Sequence, residues 1–218
     1  VTLKLYAHPL SSYCQKALAA FYENDTPFDY VMLDGSEPAA SEFATLWPVK
    51  RFPILTDDSR LIVEATTIIE YLDLKYPGKV RFLPDDPDKA IEVRMLDRFF
   101  DNYVMTPQGK IVFDFIRDSE HDERGVREAR AMLDTSYEVL DRWMADREWA
   151  AAGQFSLADL AAAPSLLYAD WSHPIPERFA NVRAYRSRLL ARSGYARALD
   201  EARPYRHMFP LGAPEGRD

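Results

Sequence analysis

Cysteine is nearly absent from this chain. Cys14 is the single one among 218 residues, so no disulfide can form within it and a reducing compartment is expected. Glycine is sparse too, at eight residues, and none falls in the phosphate-cradling patterns that mark nucleotide sites. No His, Cys, Asp or Glu cluster has metal-ligand spacing, so no metal is expected. Positive charge is in the minority: 27 Lys and Arg face 35 Asp and Glu, a net charge of −8. That balance argues against nucleic acid as a partner. The one basic cluster, Arg183, Arg186, Arg188 and Arg192, reads as the solvated face of a helix. The longest apolar run, around Leu160 to Ala169, is too short to span a bilayer, and no charged-then-apolar leader opens the sequence. The expectation is a cytoplasmic protein with no membrane partner.

What the chain does have is core. Its 12 Phe, 12 Tyr and 4 Trp within a 47% apolar composition suffice for one large or two small packed units. Residues 1–78 alternate strand and helix signals. Leu3–Tyr6 and Phe28–Met32 read as strands flanking a helix that opens near Ser12. Pro53–Thr56 and Leu61–Val63 read as paired strands around an Asp57–Arg60 turn. A helix from Ala65 to Tyr76 follows, stopped by Pro77-Gly78. The order βαβ, helix, ββ, helix predicts an α/β unit with a mixed four-stranded sheet.

Residues 79–87 read as an acidic, proline-containing linker, and 88–218 as all-helical. Val93, Leu96, Phe100, Tyr103 and Val104 repeat at helical spacing until Pro107, which should kink or interrupt that helix. Val126 to Met144 is a long amphipathic helix. Phe155-Ser156-Leu157-Ala158-Asp159 is a helix start, with Ser156 as N-cap and Asp159 reaching back to it. The helix it launches is small and apolar on most sides, hence central. Further helices are expected over 177–191 and 195–202.

The chemistry concentrates at Ser11-Ser12-Tyr13-Cys14, where a strand, a His8-Pro9-Leu10 turn and an apolar helix meet. Such a junction offers unsatisfied backbone N–H groups and a positive dipole end, suited to stabilising a thiolate. Ser-x-x-Cys reads like the Cys-x-x-Cys of thioredoxin-type folds with its leading cysteine replaced. That change removes disulfide chemistry and leaves a donor for another molecule's sulfur.

Four segments in order make the chain resemble the soluble glutathione transferases. Leu5 to Cys14 is similar to the amino-terminal motif of the serine-type classes (theta, zeta, delta and bacterial relatives). Trp47 to Leu55 is similar to the family's Asn-Pro-x-x-x-Val-Pro-x-Leu segment, Glu64 to Leu72 to its Glu-Ser-x-x-Ile-x-x-Tyr-Leu helix, and Phe155 to Asp159 to its capping box. The resemblance implies a thioredoxin-like amino-terminal domain, an all-α carboxy-terminal domain, a homodimer, and glutathione as co-substrate in a detoxifying attack on a small apolar electrophile. Three alternatives stay open: a non-catalytic binding or scaffold protein, a glutathione-dependent thiol-disulfide reductase using Cys14, and a zeta-like isomerase.

By the same resemblance Ser11 is the catalytic donor to the glutathione sulfur, with Ser12 second. N-capping is the plainer role of either serine. Phe52 would pair its backbone with the cysteinyl unit across a cis Phe52–Pro53 bond. Lys50 and Arg51 carry the charge for the glycyl carboxylate. Glu64, Ala65 and Thr66 open the helix that would receive the γ-glutamyl carboxylate. Ala65 stands where the family has serine, and Thr66 is the residue able to restore that hydroxyl. Tyr6, Tyr103, Met105, Gln108, Phe113, Phe115 and Trp171 are the candidate lining of the electrophile pocket, although aromatics at helical spacing are core more often than pocket. Cys14 itself reads as a small core residue.

Overall fold

The computed structural model describes residues 3–217; residues 1–2 and 218, the outer limits of the two expected units, lie outside it. Strand β1 (Leu3–Ala7) leads into helix α1 (Ser12–Glu23) and strand β2 (Asp29–Met32), then helix α2 (Ala39–Leu46), strands β3 (Ile54–Asp57) and β4 (Arg60–Val63), and helix α3 (Ala65–Lys75). The sheet order is β2-β1-β3-β4, with β1 parallel to β2 and antiparallel to β3. This is the mixed four-stranded sheet of a thioredoxin-like domain. Period-two alternation splits β1 between two faces. Leu3, Leu5 and Ala7 join the main core with α1 and α3, while Tyr6 joins Phe43 and Ile54 in a smaller cluster under α2.

The rest of the described chain is helical: α4 (Pro87–Phe99), a π-helical turn (Phe100–Met105), α5 (Thr106–Phe115), α6 (Glu123–Trp143), α7 (Leu157–Ser172), α8 (Ala180–Leu190) and α9 (Ser193–Ala202), ending in a 3₁₀ segment (Arg203–Met208). The interruption expected from Pro107 is the π turn. Proline has no N–H for the carbonyl one turn back, and that carbonyl, on Tyr103, accepts the Ser136 hydroxyl of α6 at 2.8 Å instead. At the start of α7 the capping box is complete. Asp159 accepts the Ser156 N–H at 2.9 Å, the Ala150 N–H at 2.9 Å and the Tyr185 hydroxyl at 2.6 Å. All sixteen residues of α7 are buried, which makes it the central helix of this domain.

The two domains meet across α1, which is buried from Cys14 to Glu23. An apolar helix could do this with packing alone, yet α1 carries charge into the contact. Lys16, 1% exposed, meets Asp97 at 2.6 Å and Asp101 at 3.1 Å. Glu23 accepts the Gly194 N–H at 3.0 Å and pairs with Arg192 at 2.8 Å. Position 194 must be glycine because a Cβ there would lie 2.8 Å from the Ala19 carbonyl oxygen.

Within the basic cluster Arg183 is exposed as expected, whereas Arg186 and Arg192 depart from a solvated role. Arg192 lies over the Phe155 ring at 3.8 Å while pairing with Glu23, and Arg186, 8% exposed, pairs with Asp170 at 3.3 Å. Sequence spacing cannot reveal this, because the partners sit on α1, on α7 and in the terminal tail, where the Arg217 carbonyl accepts from Arg186.

Removing one member of a buried ion pair costs about 3–5 kcal/mol, and without Lys16 the two carboxylates would share the half-exposed Arg98 alone. Lys16→Met is therefore expected to lose stability on that scale in denaturant unfolding. The double variant with Asp97→Asn should recover part of the loss.

Candidate active site

Ser11 is the N-cap of α1. Its backbone is extended (φ −77°, ψ 127°) and its Oγ accepts the Cys14 N–H at 3.4 Å. A hydroxyl used as an acceptor keeps its proton to give, and Ser11 and Ser12 are both partly exposed. The preceding turn is closed by the Ser11 N–H on the His8 carbonyl at 3.0 Å and by the Leu10 N–H on His8 Nδ1 at 3.2 Å. Burial holds the His8 ring below the ordinary histidine range, so it is neutral near neutral pH. Tyr13, 36% exposed, stands beside Ser12. Its phenol is pushed up to about 12, first by burial and then by the Asp101 charge, so it stays protonated.

The Phe52–Pro53 bond is cis, as the sequence leads one to expect, and Glu37–Pro38 is cis as well. Phe52 is 39% exposed, with its ring 6.2 Å from that of Phe43. Lys50 and Arg51 are exposed beside it, and Lys50 has a positive φ of 55°. At the head of α3, Glu64 takes φ 71°, a region costly for a residue with a Cβ, and no side chain caps the helix. Strain of that kind gathers at ligand sites. The first turn of α3 therefore begins beside the exposed Glu64 with no side-chain cap on its N–H groups.

The Thr66 hydroxyl, the candidate to replace the one that Ala65 lacks, is engaged within the protein. Its Oγ1 donates to Asp97 at 3.0 Å and accepts from Lys16 at 2.9 Å and from Arg98 Nη2 at 2.6 Å, so its capacity is used up within the domain contact. Arg98, with a half-exposed side chain, is held there by Asp97 and Asp101. It brings a guanidinium to the first turn of α3. No local motif announces it, since the placement depends on α4 crossing α3.

The expected electrophile lining does not form one wall. Tyr6 is 1% exposed and donates its hydroxyl to Glu42 at 2.6 Å; strand alternation puts it on the α2 side of the sheet, away from α1. Its phenol is pushed up to about 12 by burial and by Glu42. Met105 and Trp171 are core residues at 6% and 7% exposed. Trp171 packs edge-on to Tyr168 and Phe209. Gln108 is buried and donates to the Ser172 hydroxyl at 3.0 Å. Tyr103, Phe113 and Phe115 are exposed, Tyr103 with its ring 5.6 Å from that of Phe99. The reason is geometric: residues spaced along one helix pass through core, rim and solvent as the helix turns. Sequence reading missed Tyr205, whose ring meets His8 edge-on at 4.9 Å beside the Ser11 turn.

A family model described as the N-terminal domain of glutathione S-transferase matches residues 5–80, and the corresponding C-terminal domain matches 104–193. The chain belongs to the glutathione S-transferase family. A glutathione S-transferase, hmp2, of Hypomyces subiculosus is 26% identical over 93% of this chain and all of its own length. A probable glutathione S-transferase of Nicotiana tabacum is 34% identical, over 52% of this chain and 47% of its own. Among solved structures, the transferase URE2P8 of Phanerochaete chrysosporium with oxidized glutathione superposes with a TM-score of 0.83 at 20% identity. That superposition covers 94% of this chain and 96% of the other.

Cys14 of this transferase is fully buried. Burial pushes its thiol up to about 12, against weaker opposing pulls from the Ser11 hydroxyl and the His8 backbone. Thiolate is the reactive form, so native Cys14 should resist iodoacetamide at about pH 8, near the ordinary thiol pKa. The unfolded chain should take up one equivalent, as read by intact mass. Modification of the native protein at the unfolded rate would place the thiol in solvent.

Proposed function

We propose that this transferase is of the serine type, with the Ser11 hydroxyl donating a hydrogen bond to the sulfur of bound glutathione, whose thiol proton is released to solvent. Glutathione supplies a thiol that, once ionised, attacks an electrophilic carbon while the leaving group departs with the bond's electron pair. The observation that carries the reading is the placement of Ser11: its oxygen accepts the Cys14 N–H, it is partly exposed, and it caps a helix whose positive end faces the same point.

The residues around it fit a tripeptide with two carboxylates and one amine. Lys50 and Arg51 offer cations at the glycyl end, and Phe52 offers backbone for the cysteinyl unit ahead of the cis Pro53. At the γ-glutamyl end the α3 first turn of Ala65 and Thr66, helped by Arg98, would receive the carboxylate, and Glu64 the amine. A hydrogen bond to a charged group contributes about 1.5–3 kcal/mol, the scale of what Ala65 forgoes and Arg98 would offset. A thiol-disulfide reductase is disfavoured by the burial of Cys14. Exposed Leu74, Ile91 and Met95 would suit burial against a second copy, and sedimentation distinguishes that homodimer from a monomer. A cytoplasmic location fits a lone reduced cysteine.

Ser11→Ala should lower kcat/KM toward an aryl halide by about 10²–10³, the usual loss for one charge-stabilising donor. Glutathione binding by calorimetry should survive, and Ser12→Ala should change little. Full activity in Ser11→Ala would overturn the assignment. Absence of glutathione binding in the unaltered protein would leave a transferase fold used for another purpose.

A further inference from the structure

The peptide unit entering Ser11 is held at both edges. Its N–H, on Ser11, donates to the His8 carbonyl at 3.0 Å. Its carbonyl, on Leu10, accepts the hydroxyl of Tyr168 at 2.5 Å. Tyr168 belongs to α7, at the centre of the helical domain. Its oxygen is itself placed by Gln15, whose Nε2 donates to it at 2.9 Å and to the Pro9 carbonyl at 2.9 Å. The Gln15 Oε1 in turn accepts the Tyr195 hydroxyl at 2.8 Å. Gln15, Tyr195 and Tyr168 are 0%, 2% and 4% exposed. All three carbonyls from His8 to Leu10 are thereby paired, two of them with buried side chains. Burial keeps the Tyr168 phenol above its ordinary range, so it remains a donor at any pH the enzyme meets.

Rotation of the Leu10–Ser11 peptide plane would swing the Ser11 Cβ, and with it the direction in which the hydroxyl points. The two bonds at its edges resist that rotation, alongside the Cys14 N–H on Ser11 Oγ and the Gln15 N–H on the Ser11 carbonyl at 2.9 Å. A network this buried is effective only when every member is satisfied.

We propose that Tyr168 is a positioning residue for the transferase reaction: by bonding the Leu10 carbonyl, the helical domain sets the orientation of the Ser11 hydroxyl. The proposal rests on the reading of Ser11 as donor to the glutathione sulfur. It makes Tyr168 a link between the domain that contributes the electrophile site and the group that stabilises the thiolate, although Tyr168 touches neither substrate.

The test compares Tyr168→Phe, which removes one oxygen, with Tyr185→Phe, which removes an equally buried hydroxyl at the capping box (Tyr185 is 1% exposed and bonded to Asp159). Three quantities are measured: hydrogen exchange at the Ser11 amide without glutathione, the acid limb of the kcat/KM pH profile, and denaturant stability. Tyr168→Phe should exchange faster at Ser11, move the acid limb to higher pH and lose about 10–100-fold in kcat/KM, the scale of a misplaced catalytic group. Tyr185→Phe should lose stability with the limb unmoved. If Tyr168→Phe keeps the wild-type limb, or if both variants move it equally, Tyr168 is merely structural and the proposal fails. If Ser11→Ala also leaves the limb in place, the reading of Ser11 fails and takes this proposal with it. A limb that moves in Ser11→Ala but not in Tyr168→Phe overturns the proposal alone. Should Tyr168→Phe not fold, Gln15→Met carries the same readouts, since it frees the Pro9 carbonyl and the acceptor side of Tyr168.

Discussion

The structure depends on a helix that water reaches only at its start. From Cys14 to Glu23 every residue of α1 is buried, against the sheet on one side and α7 and α9 on the other. A helix enclosed in this way cannot tilt or slide without opening both domains at once. Its apolar residues supply the burial, and its polar ones fix the register. Lys16 engages Asp97 and Asp101, Glu23 engages Arg192 and the Gly194 N–H, and Gln15 engages Tyr168 and Tyr195. Buried ion pairs contribute little net stability relative to apolar packing. Their effect here is positional, since each is satisfied in a single docking arrangement.

That enclosure explains the division of labour at the site. The open end of α1 is the only part left for a ligand, and it carries Ser11. The surrounding elements approach through backbone: the turn at Phe52–Pro53 and the uncapped head of α3 behind the strained Glu64. Backbone groups tolerate sequence change. A chain with Trp47, Phe52 and Ala65 in place of the family's Asn, Val and Ser can therefore keep the same layout. What such changes alter is the rim, where Arg98 stands over the first turn of α3 through its bond to Thr66.

Much of this was legible in the sequence because it is local. Period-two alternation in Leu3–Tyr6, the Ser156/Asp159 pair and Pro107 each act within a few residues, and the strands, the capping box and the interrupted helix follow from them. The commitment of Thr66 to Asp97, Lys16 and Arg98 was not legible, because it depends on which faces of α1, α3 and α4 meet. Tyr6 illustrates the same limit within a strand: alternation fixes that it opposes Leu5, and only the position of α2 decides what it touches. The candidate electrophile lining is scattered between core and surface for a related reason. Met105 and Phe113 are both apolar and eight positions apart, yet the helix turns one inward and the other out. The arginines near 186 look like a solvated stripe until α1, α7 and the tail are laid across them.

The most direct measurement is the structure of the protein in complex with glutathione. The account predicts the sulfur within hydrogen-bonding distance of Ser11 Oγ, the cysteinyl backbone paired with Phe52, and the γ-glutamyl carboxylate at the first turn of α3 near Arg98. A sulfur turned away from Ser11, with the tripeptide held elsewhere on the domain, would contradict it.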